Sequence, residues 1–262
     1  MSAIILQDEI VHYEVLGRGR PVLFLHGWVG SWRYWIPSMQ AASTSYRAYA
    51  IDMWGFGNTA KNTNRYMLSQ QLHLLEGFLD DMGIGKIALV GHGLGAIVSL
   101  LFTLEHPSMV DRIMAVGMPL DSKKINPRLS QNTPAELADW LLGTTEASEA
   151  ARIEAPKADQ DAISHSIRHM QSMNITEVPS HLEIPCLLIY GQNDPVVEQP
   201  KKEQIAQLPE TFHHILFENA GHFPMLDTPN QFHRLMVDFL AMPSDQMPHE
   251  LELKEEWKRR VR

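Results

Sequence analysis

The feature that most constrains this chain is an alternation. Short apolar runs of β-type residues are followed by stretches with helical spacing, and the order recurs on both sides of a central interruption. Ala3–Gln7 and Ile10–Leu16 read as two strands joined by a tight turn at Asp8-Glu9. Pro21–Leu25 is continuously apolar, as a strand buried on both faces must be. Arg47–Ile51 is the next strand candidate. Leu68, Leu72, Leu75, Leu79 and Met82 form the stripe of an amphipathic helix, which Gly83 and Gly85 end. A strand at Lys86–Val90, a helix at about Leu94–Glu105 and a strand at Arg112–Val116 follow. The second half adds a strand at Pro185–Tyr190, a short helix at Lys201–Leu208 and a strand at His213–Phe217. It closes with a helix at Gln231–Leu240, with Phe232, Leu235, Met236 and Phe239 on one face. Such alternation predicts an α/β domain: a mostly parallel central sheet flanked by helices.

Residues 120–184 break the rhythm. They are more polar and carry helical pieces near Pro134–Leu142, Glu149–Arg152 and Asp161–Met173, with no added strand. The expected division is a core of residues 1–119 and 185–242, a helical cap at 120–184 and a charged tail at 243–262. The tail reads as a solvated helix or a frayed end, or as a basic docking segment. A protein partner would use the cap or this tail.

Composition narrows the chemistry. The chain carries 31 acids against 22 bases, a net charge of −9, which argues against nucleic-acid binding. Its one cysteine, Cys186, excludes an internal disulfide and a four-cysteine zinc site. No apolar run approaches the roughly twenty residues of a membrane-spanning helix, and Met1–Leu6 lacks the basic start of a signal peptide. The expected location is the cytoplasm.

Four stretches can carry chemistry, each after a predicted strand: Leu25-His26-Gly27-Trp28, Asp52–Thr59, Val90-Gly91-His92-Gly93-Leu94-Gly95-Ala96, and the pair Gly191–Asp194 and Asn219–His222. All fall at the carboxyl ends of parallel strands, where open α/β sheets place ligands. Together they resemble the α/β-hydrolase superfamily, from about Ile10 to Leu240. The resemblance implies an HG turn and a residue after the nucleophile that supply oxyanion N–H groups, here Trp28 and Leu94. It implies an acid at Asp194 that orients a histidine at His222. Asp121, after the sixth strand, is the runner-up acid. His26 belongs to the HG turn and has a structural hydrogen-bonding role. Trp28, Trp32, Trp35, Trp54, Met118 and Phe223 are expected to line a pocket for a small apolar or ester-like ligand. No metal and no cofactor is implied.

At the nucleophile position the pattern departs from the family, because residue 93 is glycine. No covalent intermediate can form there, and in enzymes of this logic loss of the nucleophile costs on the order of a million-fold in turnover. His92 points away from the nucleophile's place, Ser99 lies more than a turn into the helix, and Cys186 opens its strand at the far end. Several readings stay open. The protein is a weakened or non-catalytic hydrolase that binds a ligand, as the N-myc downstream-regulated family is similar in lacking the nucleophile. Alternatively, it is a working hydrolase or lyase whose His222 activates a water in the space Gly93 leaves. Or Gly93 is an introduced replacement of a serine. A remote alternative is dinucleotide binding, since Gly91, Gly93 and Ala96 match the G-x-G-x-x-G/A spacing. Two further histidines, His165 and His169, are four apart on a predicted helix, which is half of a metal site or a solvated face. His213 and His214 are adjacent on a strand and point to opposite faces.

Overall fold

The computed structural model describes residues 2–173, 179–243 and 246–253. Eight strands form one sheet: β1 Ser2–Leu6, β2 Glu9–Gly17, β3 Arg20–Leu25, β4 Tyr46–Ile51, β5 Ile87–His92, β6 Val110–Val116, β7 Cys186–Gly191 and β8 Phe212–Phe217. Their order is β1-β2-β4-β3-β5-β6-β7-β8. The first two are antiparallel to their neighbours, and all pairings from β4 through β8 are parallel. β5 and β7 are buried along their whole length, so both faces are covered by helices, as their unbroken apolar runs require.

The expected alternation holds, with shifted edges. Leu6 pairs with Glu9, so the hairpin turns on Gln7 and Asp8 rather than on Asp8-Glu9. Both turn residues have positive φ, 51° and 66°, the geometry that matches a tight turn to strand twist. The structure adds a helix that the sequence hides, α1 Ile36–Ala42, entered through a 3-10 turn at Trp32–Trp35. Four aromatic or apolar residues in a row blur its period there, and Pro37 is tolerated because it sits in the first turn. The amphipathic helix is α2 Leu68–Asp81, and the one after β5 is α3 Leu94–Glu105.

Between β6 and β7 stand α4 Arg128–Gln131, α5 Pro134–Leu141, α6 Glu146–Glu154 and α7 Gln160–Gln171. Local chemistry sets their starts. Thr133 and Glu136 form a capping box at α5, Thr145 and Ser148 one at α6, and Asp159 caps α7. These helices dock on the core through side chains. Buried Glu154 pairs with Arg33 at 3.1 Å, and Asp159 accepts the Tyr66 hydroxyl at 2.6 Å. After β7 comes α8, a single turn at Lys202–Ile205 where the sequence predicts a longer helix, then α9 Pro224–Asp227 and α10 Pro229–Ala241. Beyond α10, a 3-10 turn at Pro248–Glu250 brings the Leu251 carbonyl to His213 Nε2 at 2.9 Å, against β8. The basic end of the expected tail, 254–262, lies outside the described residues. No helix among the described residues is long and apolar enough to cross a membrane.

Candidate functional site

The elbow forms because β5 must reverse into α3 within one residue. Gly93 takes φ 49°, ψ −108°, a conformation that strains any residue with a Cβ. A Cβ on Gly91 would lie 2.4 Å from the Gly95 carbonyl oxygen, so the strand–helix crossing is closed to larger residues there. The Gly93 N–H bonds to Val116 O at 2.8 Å and the Gly95 N–H to His26 O at 3.1 Å, which ties the elbow to β6 and to the turn after β3. Gly27 Cα lies 3.6 Å from the point a Gly93 Cβ would occupy, so that turn faces the elbow. The backbone N–H groups of Trp28 and Leu94 meet no acceptor among the described residues. They lie on either side of the elbow, at the amino end of α3, where the helix dipole favours negative charge.

Asp194 and His222 come together from the loops after β7 and β8. His222 Nδ1 donates to Asp194 Oδ2 at 2.8 Å, and both side chains are buried. Asp194 Oδ1 accepts the N–H groups of Val196 and Val197 at 2.8 and 3.1 Å. The carboxylate is thus fully engaged and holds the imidazole in the Nδ1–H tautomer, with the Nε2 lone pair as its basic face. Asp227 steadies the histidine loop by accepting the Gly221 N–H at 2.8 Å. The runner-up acid is elsewhere: Asp121 accepts from Lys123 N–H in a turn of its own.

His92 is packed and satisfied. Its Nδ1 accepts the Tyr34 hydroxyl at 2.9 Å and its Nε2 donates to the His222 carbonyl at 2.9 Å. Its ring lies 4.5 Å from that of His222. Burial, with His222 beside it, pushes the His92 imidazole well below its ordinary pKa, so it stays neutral. His26 is likewise lowered by burial and accepts the Met53 N–H at 3.0 Å, the structural role expected of it.

The Trp28 indole lies against the elbow: its Cε3 and Cζ3 stand 3.0 Å from where a Gly93 Cβ would be, so a side chain there would press the ring back by a few tenths of an ångström. The indole is fully buried and donates from Nε1 to Ser166 Oγ of α7 at 3.1 Å.

Of the expected lining residues, the structure brings Phe223 to the dyad, with its ring 5.3 Å from His222 and 4.7 Å from His92. Met118 is buried just after β6, and its carbonyl accepts the Tyr190 hydroxyl at 2.6 Å. Three tryptophans have these partners. Trp32 packs on His12, 5.6 Å between rings, while its N–H bonds to buried Asp52 at 2.9 Å. Trp35 packs between Phe24, Tyr34 and Phe232. Trp54 is pinned to α2 by Gln71, which bonds both its N–H and its carbonyl. His169 is no solvated ligand, since its Nδ1 accepts the Leu68 N–H that opens α2, at 3.2 Å. Ser99 bonds to Gly95 O inside α3, and Cys186 is core, its thiol pKa pushed up by burial.

Two site residues carry no motif. Ser166 shows itself only as a hydroxyl on the apolar stripe of Ile163, Ile167 and Met170. Tyr34 lies in the aromatic run whose helical period is blurred.

Comparison with known proteins agrees with this geometry. The chain is 24% identical to a 2-hydroxy-6-oxo-6-(2'-aminophenyl)hexa-2,4-dienoic acid hydrolase of Metapseudomonas resinovorans, over 89% of this chain and 88% of that one. It is likewise 24% identical to a 2-hydroxy-6-oxononadienedioate/2-hydroxy-6-oxononatrienedioate hydrolase of Burkholderia vietnamiensis, over 88% and 90%. Among solved structures, the enol-lactonase from Burkholderia xenovorans LB400 superposes with a TM-score of 0.81 at 16% identity, covering 92% of this chain and all of that one. With the Alpha/beta hydrolase family model matching residues 22–235, the chain belongs to that family.

Proposed function

We propose that this protein binds a small apolar, carbonyl-bearing molecule at a hydrolase site that has given up covalent turnover. The observation that carries the reading is the glycine elbow with the Trp28 indole packed against it. The Trp28 and Leu94 N–H groups would hold the carbonyl oxygen as an oxyanion hole, and Phe223 and Met118 would form apolar walls. Residues 120–184 act as the cap through α7. The ester-like ligand class is supported by relatives named as hydrolases and an enol-lactonase.

The retained Asp194–His222 pair favours a second reading, in which His222 Nε2 activates a water beside Gly93. Short p-nitrophenyl esters separate the two. The parent is expected to show no acyl burst and no turnover above buffer. Gly93→Ser is expected to gain turnover, and more so with Trp28→Ala, which removes the ring crowding the new Cβ and keeps the backbone N–H. Ordinary turnover by the parent without a burst would establish the water reading. No gain in either variant would refute an otherwise complete hydrolase frame.

A further inference from the structure

The three loops that make this site are joined through one hydroxyl group. Tyr34, fully buried in the 3-10 turn before α1, accepts the Gly27 N–H at 2.6 Å and donates to His92 Nδ1 at 2.9 Å. His92 passes the chain on, donating from Nε2 to the His222 carbonyl at 2.9 Å. Gly27 precedes Trp28, whose N–H is one of the two free donors. His92 precedes the elbow, and His222 is the dyad base.

Each link admits one direction only. A backbone N–H can only donate, so the Tyr34 oxygen must accept from Gly27. At the other end the carbonyl of residue 222 can only accept, so the neutral His92 carries its proton on Nε2 and its Nδ1 must take the Tyr34 proton. No member is left unsatisfied, and a buried polar chain of this kind defines one arrangement of its loops. The Tyr34 ring is held for this by edge contacts with His92 at 5.8 Å and Phe223 at 5.5 Å. We propose that Tyr34 is a positioning residue of the site: its hydroxyl sets the oxyanion turn, the elbow and the His222 loop in register with one another. This rests on the reading of the Trp28 and Leu94 N–H groups as an oxyanion hole.

The test is Tyr34→Phe, which keeps the ring and removes the hydroxyl. Nitrogen-15 NMR of the histidine rings reads the parent directly, without activity. His92 is expected as a single Nε2–H tautomer with a hydrogen-bonded Nδ1, and as a mixture or a shifted Nδ1 in the variant. In the Gly93→Ser background, ester turnover reads the consequence. Adding Tyr34→Phe is expected to lower kcat by roughly tenfold or more while KM moves less than about twofold, as befits a misplaced transition-state donor. A tyrosine that only fills space would leave the His92 tautomer and the kcat-to-KM split unchanged, and that result would overturn the proposal. If Gly93→Ser has no turnover at all, the proposed function is what fails, and the His92 spectrum still decides the role of Tyr34. Should Tyr34→Phe not fold, His92→Asn cuts the same chain one link later. The same fall in kcat is then expected in the Gly93→Ser background, and an unchanged kcat would count against the relay.

Discussion

At the scale of single residues, the site turns on Gly93 and its neighbour Trp28. Glycine at φ 49°, ψ −108° relieves strain that a serine would have to bear there. Gly93→Ala isolates that strain, since it adds a Cβ and no chemistry. It is expected to destabilise the fold by about 1–3 kcal/mol, read as a lower urea midpoint at unchanged m-value. The Trp28 ring contributes by having to yield a few tenths of an ångström to the new Cβ. Equal or greater stability in the variant would show that the elbow stores no strain. The glycine itself was legible in the sequence, because its flanking residues match a known elbow. That an indole lies against the elbow was not legible, because ring placement depends on Ser166, 138 residues away in the chain.

At the scale of elements, the inserted helices are tied down by their caps. Asp159 holds the start of α7 through both carboxylate oxygens and its N–H. Its Oδ1 caps α7 by accepting the Asp161 N–H at 3.0 Å, its Oδ2 accepts the Tyr66 hydroxyl, and its N–H donates to Gly55 O at 2.8 Å. Asp159→Ala removes the first two and keeps the third. The expected cost is about 1–2 kcal/mol, with faster amide exchange along α7 than along α3. Uniform exchange across both helices would mean that α7 does not open separately from the core. Elements with a clear period, such as α2, α3 and α10, are evident from sequence to within a few residues. The helix α1 is not, since its stability comes from packing on β4 and α10 and not from a stripe of its own.

At the scale of the whole molecule, buried histidines couple the fold to pH. Burial lowers the pKa values of His26 and His92, and His233 is pushed down to about 4. Once unfolded, each regains an ordinary pKa near 6.5. Between these values the unfolded chain binds more protons than the folded one, so stability falls as pH drops. The full contribution is present above about pH 6.5 and is lost progressively toward pH 4 and below. Urea midpoints are expected to decline over that window. His233→Gln, which can keep the bond to Ser38 Oγ, is expected to flatten the decline. A slope unchanged by this variant would remove His233 from the account.

The sequence by itself determined the alternating α/β architecture, the elbow with glycine at its tip, and the residues that become the acid–histidine pair. These are written locally, in apolar period and in glycines at fixed spacing beside strand ends. Only the tertiary structure decided which of two acids meets His222, that the Trp28 indole lies against the elbow, and that Tyr34 joins three loops. It also decided which partners Trp32, Trp35 and Trp54 pack against. Each of those outcomes is a contact between segments far apart in the chain. Their geometry follows from how the sheet and the inserted helices pack, which no local pattern encodes.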